Sequence, residues 1–405
     1  MTAALIDIGP LRSSPVFRRY WIGRTLSGFG SQMTAVAVMF QVWEQTGSAV
    51  WTGAVGLCQA LPVVLFGLFA GALADRADRR RLYLLTKAGL AFSSALLTVQ
   101  GLLGGAPVAG LLALIVVQSA FGAVSGPVAR TFLPHLLAPE ERGAGLALNH
   151  ISFQASMLVG PALGGLVVGW LGVGGCYLID TVTFLAAFYG VAALPRLPVA
   201  ERLDPGLRAV GEGLRFVGRN PAVRGALLTD LAATLLAMPM SLFPLINALR
   251  FDGDPRTLGL FLSAVAVGGV LASLLSGTFT RWGRPGAVMV GASTVWGLAL
   301  ALFGLVTQPW LGLGCLVLAG AADTVAVVSR ATVVQLHTPD ALMGRVAAAE
   351  QIVGQAGPDL GNLRAGLVAG AFSGPVALVS GGVLCVVAVA AIARTTRPSV
   401  SLPRP

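Results

Sequence analysis

Charge is scarce in this chain. Asp, Glu, Lys and Arg make up 11% of its 405 residues, where a soluble domain carries about 25% to cover its surface. With 55% hydrophobic residues and a mean hydropathy of +0.81, a water-soluble fold is excluded. Cysteine is nearly as rare: Cys58, Cys176, Cys315 and Cys385 each lie alone in an apolar run, without disulfide, redox or metal-ligand spacing. Three histidines, His135, His150 and His337, are too scattered for a metal site. No nucleophile–base pair or phosphate loop appears either, so the sequence predicts neither an enzyme nor a cofactor or bound metal. Residues 1–15 lack the long apolar core of a cleavable signal peptide. Lysine occurs once, as Lys87 against 26 arginines, a bias that reads as the codon usage of a GC-rich genome.

A net charge of +10 raises the question of nucleic acid. Such binders gather their basic residues on one face. Here the basic residues sit between apolar runs at regular intervals, which argues against a nucleic-acid partner and for membrane lipid as the surroundings.

What is abundant is long apolar runs, interrupted by 53 glycines and 23 prolines that membrane helices tolerate. A spanning helix needs about 20 such residues. Twelve runs qualify: 19–43, 50–73, 82–103, 107–129, 144–169, 174–194, 222–248, 257–280, 285–306, 309–331, 344–371 and 374–393. The longest polar stretch, from Pro195 to Asn220, reads as a cytosolic linker with a short amphipathic helix. The expected organisation is an N-terminal six-helix bundle over 1–195, a linker over 196–221 and a C-terminal six-helix bundle over 222–405. Of the 27 Lys and Arg, all but Arg250, Arg256 and Arg364 fall on the side of the N-terminus, the even-numbered loops and the C-terminus. By the positive-inside rule both termini are cytosolic, in a multi-pass protein of the cell's inner membrane.

The halves echo each other. Arg130 and Pro139, with Glu140, recur as Arg330 and Pro339, with Asp340. Gly160-Pro161 with Gly164 recurs as Gly357-Pro358 with Gly361, and Gly71 recurs as Gly277. Parallel six-helix repeats of this kind build transporters around a midplane site.

The run Gly71-Ala-Leu-Ala-Asp75-Arg76-Ala-Asp78-Arg79-Arg80-Arg81 resembles the major facilitator signature G-x-x-x-D-R-x-G-R-R. The resemblance implies an all-α membrane protein of twelve transmembrane helices in two pseudo-symmetric six-helix bundles. It also implies a conformational latch formed by Gly71, Asp75, Arg76, Arg79 and Arg80, with the acid pairing Arg130 at the end of the fourth span. Asp78 stands where the family usually has Gly, and Arg281 stands in the second half where an acid would complete a symmetric latch. Gly160-Pro161-Ala-Leu-Gly164-Gly165 is similar to the G-P-x-x-G-G motif of proton-exchanging exporters; packing alone also accounts for it, since small residues let helices approach closely. Gln118 replaces the intramembrane Arg that many drug–proton antiporters carry four residues before a Gly, here Gly122.

A closer likeness runs along most of the chain. Asp230 to Pro244, Gly320-Ala-Ala-Asp323, Thr338 to Val346 and Gly357 to Gly366 resemble the branch that includes the enterobactin exporter and macrolide-efflux relatives. That implies a monomeric secondary transporter, exporting a siderophore, antibiotic or similar small organic molecule by alternating access, with protons as the coupling ion. An importer or facilitator, and a non-transporting membrane sensor, are the competing readings; the sensor would be expected to carry a soluble domain. Ionisable residues inside spans are functional candidates by default, because each costs about 2.5–3.5 kcal/mol to insert. Asp230, Asp323, Asp359 and Arg364 are the candidates here for coupling or substrate binding, with a structural ion pair the alternative for Asp230 and Asp323. Arg24 and Glu350, near cytosolic ends, are expected to reach water, and Asp180 to accept a structural hydrogen bond.

Overall fold

The computed structural model describes residues 7–76, 78–104, 107–192, 194 and 207–396. Its side chains are described throughout these ranges except at 67–76, 130, 207–210, 280, 340, 341, 344, 348, 349, 351, 352 and 396. Among the described residues there is no strand. The principal helices are α1 (Pro15–Thr46), α2 (Ala49–Arg76), α3 (Arg79–Leu103), α4 (Val108–Arg130), α5 (Arg142–Ala192), α6 (Leu207–Arg219), α7 (Pro221–Ala237), α8 (Phe243–Arg250), α9 (Pro255–Leu274), α10 (Pro285–Leu305), α11 (Pro309–His337), α12 (Asp340–Ala371) and α13 (Gly374–Thr396). Every one of the twelve expected runs falls on this series. Nine stretches among the described residues are long and apolar enough to cross a membrane.

Helix starts follow local chemistry. Asp78, Asn220 and Asp254 accept hydrogen bonds from the first free amides of α3, α7 and α9, which removes orphan donors. Pro221, Pro255, Pro285 and Pro309 occupy first turns, where the missing N–H costs nothing.

Two expected runs share α5. Gly172, at φ 71° and ψ −179°, separates them, a backbone conformation that side-chain-bearing residues rarely adopt. The run over 222–248 is likewise broken, since Met238 turns extended before Pro239 and α8 restarts after it. The freed backbone groups find partners. The Ser241 amide donates to Asn362 Oδ1 at 3.0 Å, and the Ser241 carbonyl accepts from Thr52 Oγ1 at 2.8 Å. Membrane-embedded backbone leaves the helix only where such partners exist.

Contacts divide the chain into two units, one of residues 1–41 and 61–204, the other of residues 42–60 and 205–405. In the first, Tyr20, Tyr83 and Phe132 stack at the centre of a cluster with Phe17, Val128 and Leu148. Gln41 and Gln100 exchange reciprocal amide hydrogen bonds of 2.9 Å, and the Tyr177 hydroxyl donates to Gln41 at 2.8 Å. In the second unit, Phe243, Phe251, Phe261 and Phe303 meet edge to face at 5.3–5.9 Å. Residues 49–56 of α2 lie against α12 in that unit. A Cβ on Gly56 would come 2.4 Å from the Asp359 carbonyl oxygen, so only glycine allows this approach. Amphipathic α6 docks on α12 through an ion pair of Glu212 with Arg345. Arg250 donates to the carbonyls of Phe303, Gly304 and Val306, closing the C-terminal end of α10.

Candidate functional site

The second unit buries a charged cluster where α7, α11 and α12 meet. Asp323, Ala326 and Arg330 recur at three- and four-residue intervals, so they share one face of α11. Asp230 on α7 pairs through Oδ1 with Arg330 Nη1. Arg330 Nε pairs in turn with Glu350 Oε1 of α12 at 3.2 Å. The Asp230 and Arg330 side chains are each 11% exposed and Glu350 is 23% exposed, so the pairs are shielded from bulk screening.

A small pocket opens beside them, lined by Asp230, Asp323, Arg330, Thr229, Ser293 and Trp296. Its volume of about 10 Å³ suits a single water. Asp323 is accessible from this pocket. Asp230 Oδ2, Thr229 Oγ1 and Trp296 Nε1 are buried with no hydrogen-bond partner among the described residues. Buried polar atoms are rarely left so. A pocket ringed by one spare carboxylate oxygen, one hydroxyl, one indole N–H and a second acid can hold a proton, a water or a polar ligand group.

The other intramembrane candidates fall elsewhere. The Asp359 carboxylate has no hydrogen bond or ion pair among the described residues, and its backbone lies against Gly56. Arg364 donates through Nη1 to the Leu236 carbonyl, near the C-terminal end of α7, beside Gly381. There it satisfies an orphan carbonyl and complements the helix dipole. Asp180 is fully buried in the first unit and accepts from Ser94 Oγ at 2.8 Å.

Gly160, Pro161, Gly164 and Gly165 are all buried on α5. A Cβ on Gly160 would stand 2.6 Å from Gln32 Cβ, and one on Gly164 would stand 2.9 Å from Met33 Cα. The motif is therefore the seam between α5 and α1. Its second copy does the same work on α12, where a Cβ on Gly357 would meet Thr234 Oγ1 of α7 at 2.6 Å and one on Gly361 would collide with the Thr234 carbonyl. The fifth span against the first, and the eleventh against the seventh, make one contact twice.

The Gly71, Asp75, Arg76 and Arg130 side chains lie outside the described residues. Arg79 and Arg80 open α3 behind the Asp78 cap, and Arg80 Nη2 donates to the Ala192 carbonyl at 2.6 Å.

Sequence reasoning did not foresee Arg330 as the partner of Asp230, nor Glu350 as part of the same chain of charges. Glu350 was expected to reach water, and Arg330 was counted with the cytosolic-side charges. The recurrence of Arg130 as Arg330 was the available signal, since it marks that arginine as more than loop charge.

A helical membrane protein with buried paired charges and a glycine seam repeated in both units has the build of a secondary transporter. The chain belongs to the transmembrane secretion effector family of major facilitator transporters, whose family model matches residues 6–402. It is 30% identical to the multidrug efflux pump Tap of Mycolicibacterium fortuitum, across 85% of this chain and 87% of that one. It is 27% identical to the enterobactin exporter EntS of Shigella boydii serotype 18, across 84% and 82% of the two chains. Among solved structures, a bacterial homologue of the human lysosomal transporter Spinster matches at a TM-score of 0.75 and 17% identity, over 98% of this chain and all of that one. A D-xylose–proton symporter matches at 0.72 and 13% identity, over 96% and 99%. These two share the fold.

Proposed function

We propose that the protein exports a small organic molecule, a siderophore, antibiotic or similar natural product, across the cell's inner membrane by alternating access in exchange for protons. It works as a monomer with both termini in the cytosol. The likeness to a multidrug efflux pump and an enterobactin exporter supports the direction. The observation that carries the coupling is the Asp230–Arg330–Glu350 chain beside the pocket that Asp323 lines. A proton arriving on Asp230, directly or by way of Asp323, neutralises the carboxylate, weakens its hold on Arg330 and frees α11 to shift relative to α7. Return of the charge re-forms the pair. Burial disfavours a charged carboxylate while a nearby arginine favours it, so moving between the two environments loads and unloads the proton. Asp75 with Arg130 serves as the latch that closes the cytosolic side, and the Gly160–Gly165 seam lets α5 and α1 move as one body.

The test uses inside-out membrane vesicles with an imposed proton gradient, reported by a pH-sensitive dye. Enterobactin and a panel of organic acids, bases and neutral drugs are added in turn. A transported compound is expected to collapse part of the gradient in wild-type vesicles and not in those carrying Asp230→Asn with Asp323→Asn. Radiolabelled substrate moving only down its own gradient, with no effect on the dye, would refute proton exchange and leave a facilitator.

A further inference from the structure

The first unit holds a cavity of about 390 Å³, bounded by α1, α3, α4 and α5. Its chemistry differs from that of the pocket in the second unit. Among the described residues two cations line it, Arg24 and Lys87, and no acid does. Lys87, the only lysine in the chain, is 8% exposed. Its ammonium sits 5.5 Å from the ring centres of both Tyr83 and Phe184. Among the described residues it has no hydrogen bond and no ion pair. Among the described residues Arg24 bonds a neutral partner alone, donating from Nη1 to the Tyr20 hydroxyl at 3.1 Å. Asp180, fully buried in the same unit, takes the Ser94 hydroxyl; it is near enough to attract Lys87 through space but makes no ion-pair contact with either cation. On the same wall, the side-chain oxygen of Asn149 is buried without a partner.

Taking a charge out of water costs several kcal/mol unless it is paired. Two aromatic faces return about 2 kcal/mol to a desolvated cation. Lys87 is thus under-compensated within the protein. In a chain that uses arginine at every other basic position, codon usage does not explain a lysine here. The lysine ammonium presents three donors from a compact head between the two rings. Tyr83, Phe184, Leu90 and Phe153 supply apolar surface around the cations. The complement of this site is an anionic head on an apolar body.

We propose that this cavity is a substrate-binding site for organic anions, with Lys87 and Arg24 receiving a carboxylate and the aromatic wall receiving the attached ring or chain. The assignment rests on the export reading and narrows it to a substrate class. It implies that the exported molecule, whatever its size, presents a carboxylate or similarly compact anion to the first unit.

Equilibrium binding to the purified full-length protein in detergent tests the site without any gradient, so its failure is distinct from a failure of proton-coupled export. The probes are radiolabelled 2-naphthoate and 2-naphthamide, nearly equal in size and different in charge. Charge-assisted hydrogen bonds predict that wild type prefers the acid by at least about tenfold. Lys87→Met is expected to abolish that preference while leaving naphthamide binding unchanged, and Lys87→Arg to restore part of it. Should Lys87→Met fail to fold, Arg24→Gln is expected to reduce the preference by itself. Equal affinity for acid and amide in wild type, no saturable binding of the acid, or a full preference surviving in Lys87→Met or Arg24→Gln would overturn the assignment.

Discussion

Replacing Asp230 and Arg330 singly and together measures whether the buried charges act as a unit. Removing one partner of a buried ion pair costs about 3–5 kcal/mol, because the other charge stays behind uncompensated. Asp230→Asn falls below that range, at about 2 kcal/mol: its amide oxygen still accepts from Arg330, and Arg330 keeps Glu350 at 3.2 Å. Arg330→Gln leaves two carboxylates, Asp230 and Glu350, without their cation, Asp230 with both oxygens short of a partner, and belongs at the upper end, about 4–5 kcal/mol. In the double variant the Asn and Gln side chains can bond each other as neutral amides. Its cost should not exceed that of Arg330→Gln alone, which leaves an interaction energy of about 2 kcal/mol. The assay is unfolding of purified protein in mixed micelles of rising denaturing-detergent content, followed by tryptophan fluorescence. An interaction energy below about 0.5 kcal/mol would refute the pairing as an energetic unit. So would a double variant whose loss equals the sum of the singles.

Other outcomes follow from single contacts. Gly164→Ala puts a Cβ 2.9 Å from Met33 Cα and should cost about 1–3 kcal/mol in the same unfolding assay. Gly143→Ala on the same helix meets nothing within 4 Å and should be neutral or stabilising by up to about 1 kcal/mol. Arg364→Met removes a donor to the Leu236 carbonyl; it should lower stability by about 1.5–3 kcal/mol yet leave the proton-to-substrate ratio of transport unchanged. Asp75→Asn and Arg130→Ala should each abolish transport with expression intact, and the double variant should be no worse than either. A cysteine at Ser48 in a cysteine-free background should label from outside the cell, and one at Arg208 should not; the reverse pattern would invert the topology.

Much of the fold was legible because twenty apolar residues in a row admit few alternatives in a membrane. The boundary between the fifth and sixth spans, expected between 169 and 174, lay in polar-free sequence and coincides with the positive φ of Gly172. The break at Met238–Pro239 was less legible: Pro239 and Pro244 announce it, but its stability depends on Asn362 and Thr52, far away in the chain. Charges were legible by count and not by partner. Arg330 and Lys87 contribute to the positive-inside pattern like any cytosolic residue, and that average conceals an arginine paired to Asp230 and a lysine between two rings. The glycine motif and its recurrence at Gly357–Gly361 were legible, while the helices each copy packs against, α1 and α7, required backbone positions.

The buried charges sort by what holds them, and that sorting separates scaffold from moving part. Arg250 and Arg364 bond backbone carbonyls at helix ends. A carbonyl does not titrate, so no proton can release those arginines, and their contacts persist through any cycle that keeps the helices intact. Arg330 is held by two carboxylates instead. Each carboxylate has a neutral form, and protonation of either changes the pairing by an amount comparable to a conformational free-energy gap of a few kcal/mol. Such an arginine is a two-state element whose equilibrium a proton can bias. Replacing Glu350 by Gln should therefore affect coupling, since Asp230 would then be the one titratable group of the two that hold Arg330. In vesicles the expected result is substrate movement that persists down its own gradient while responding weakly to an imposed pH gradient. Full gradient-driven transport by Glu350→Gln would show that Asp230 and Arg330 suffice and that Glu350 belongs with the scaffold.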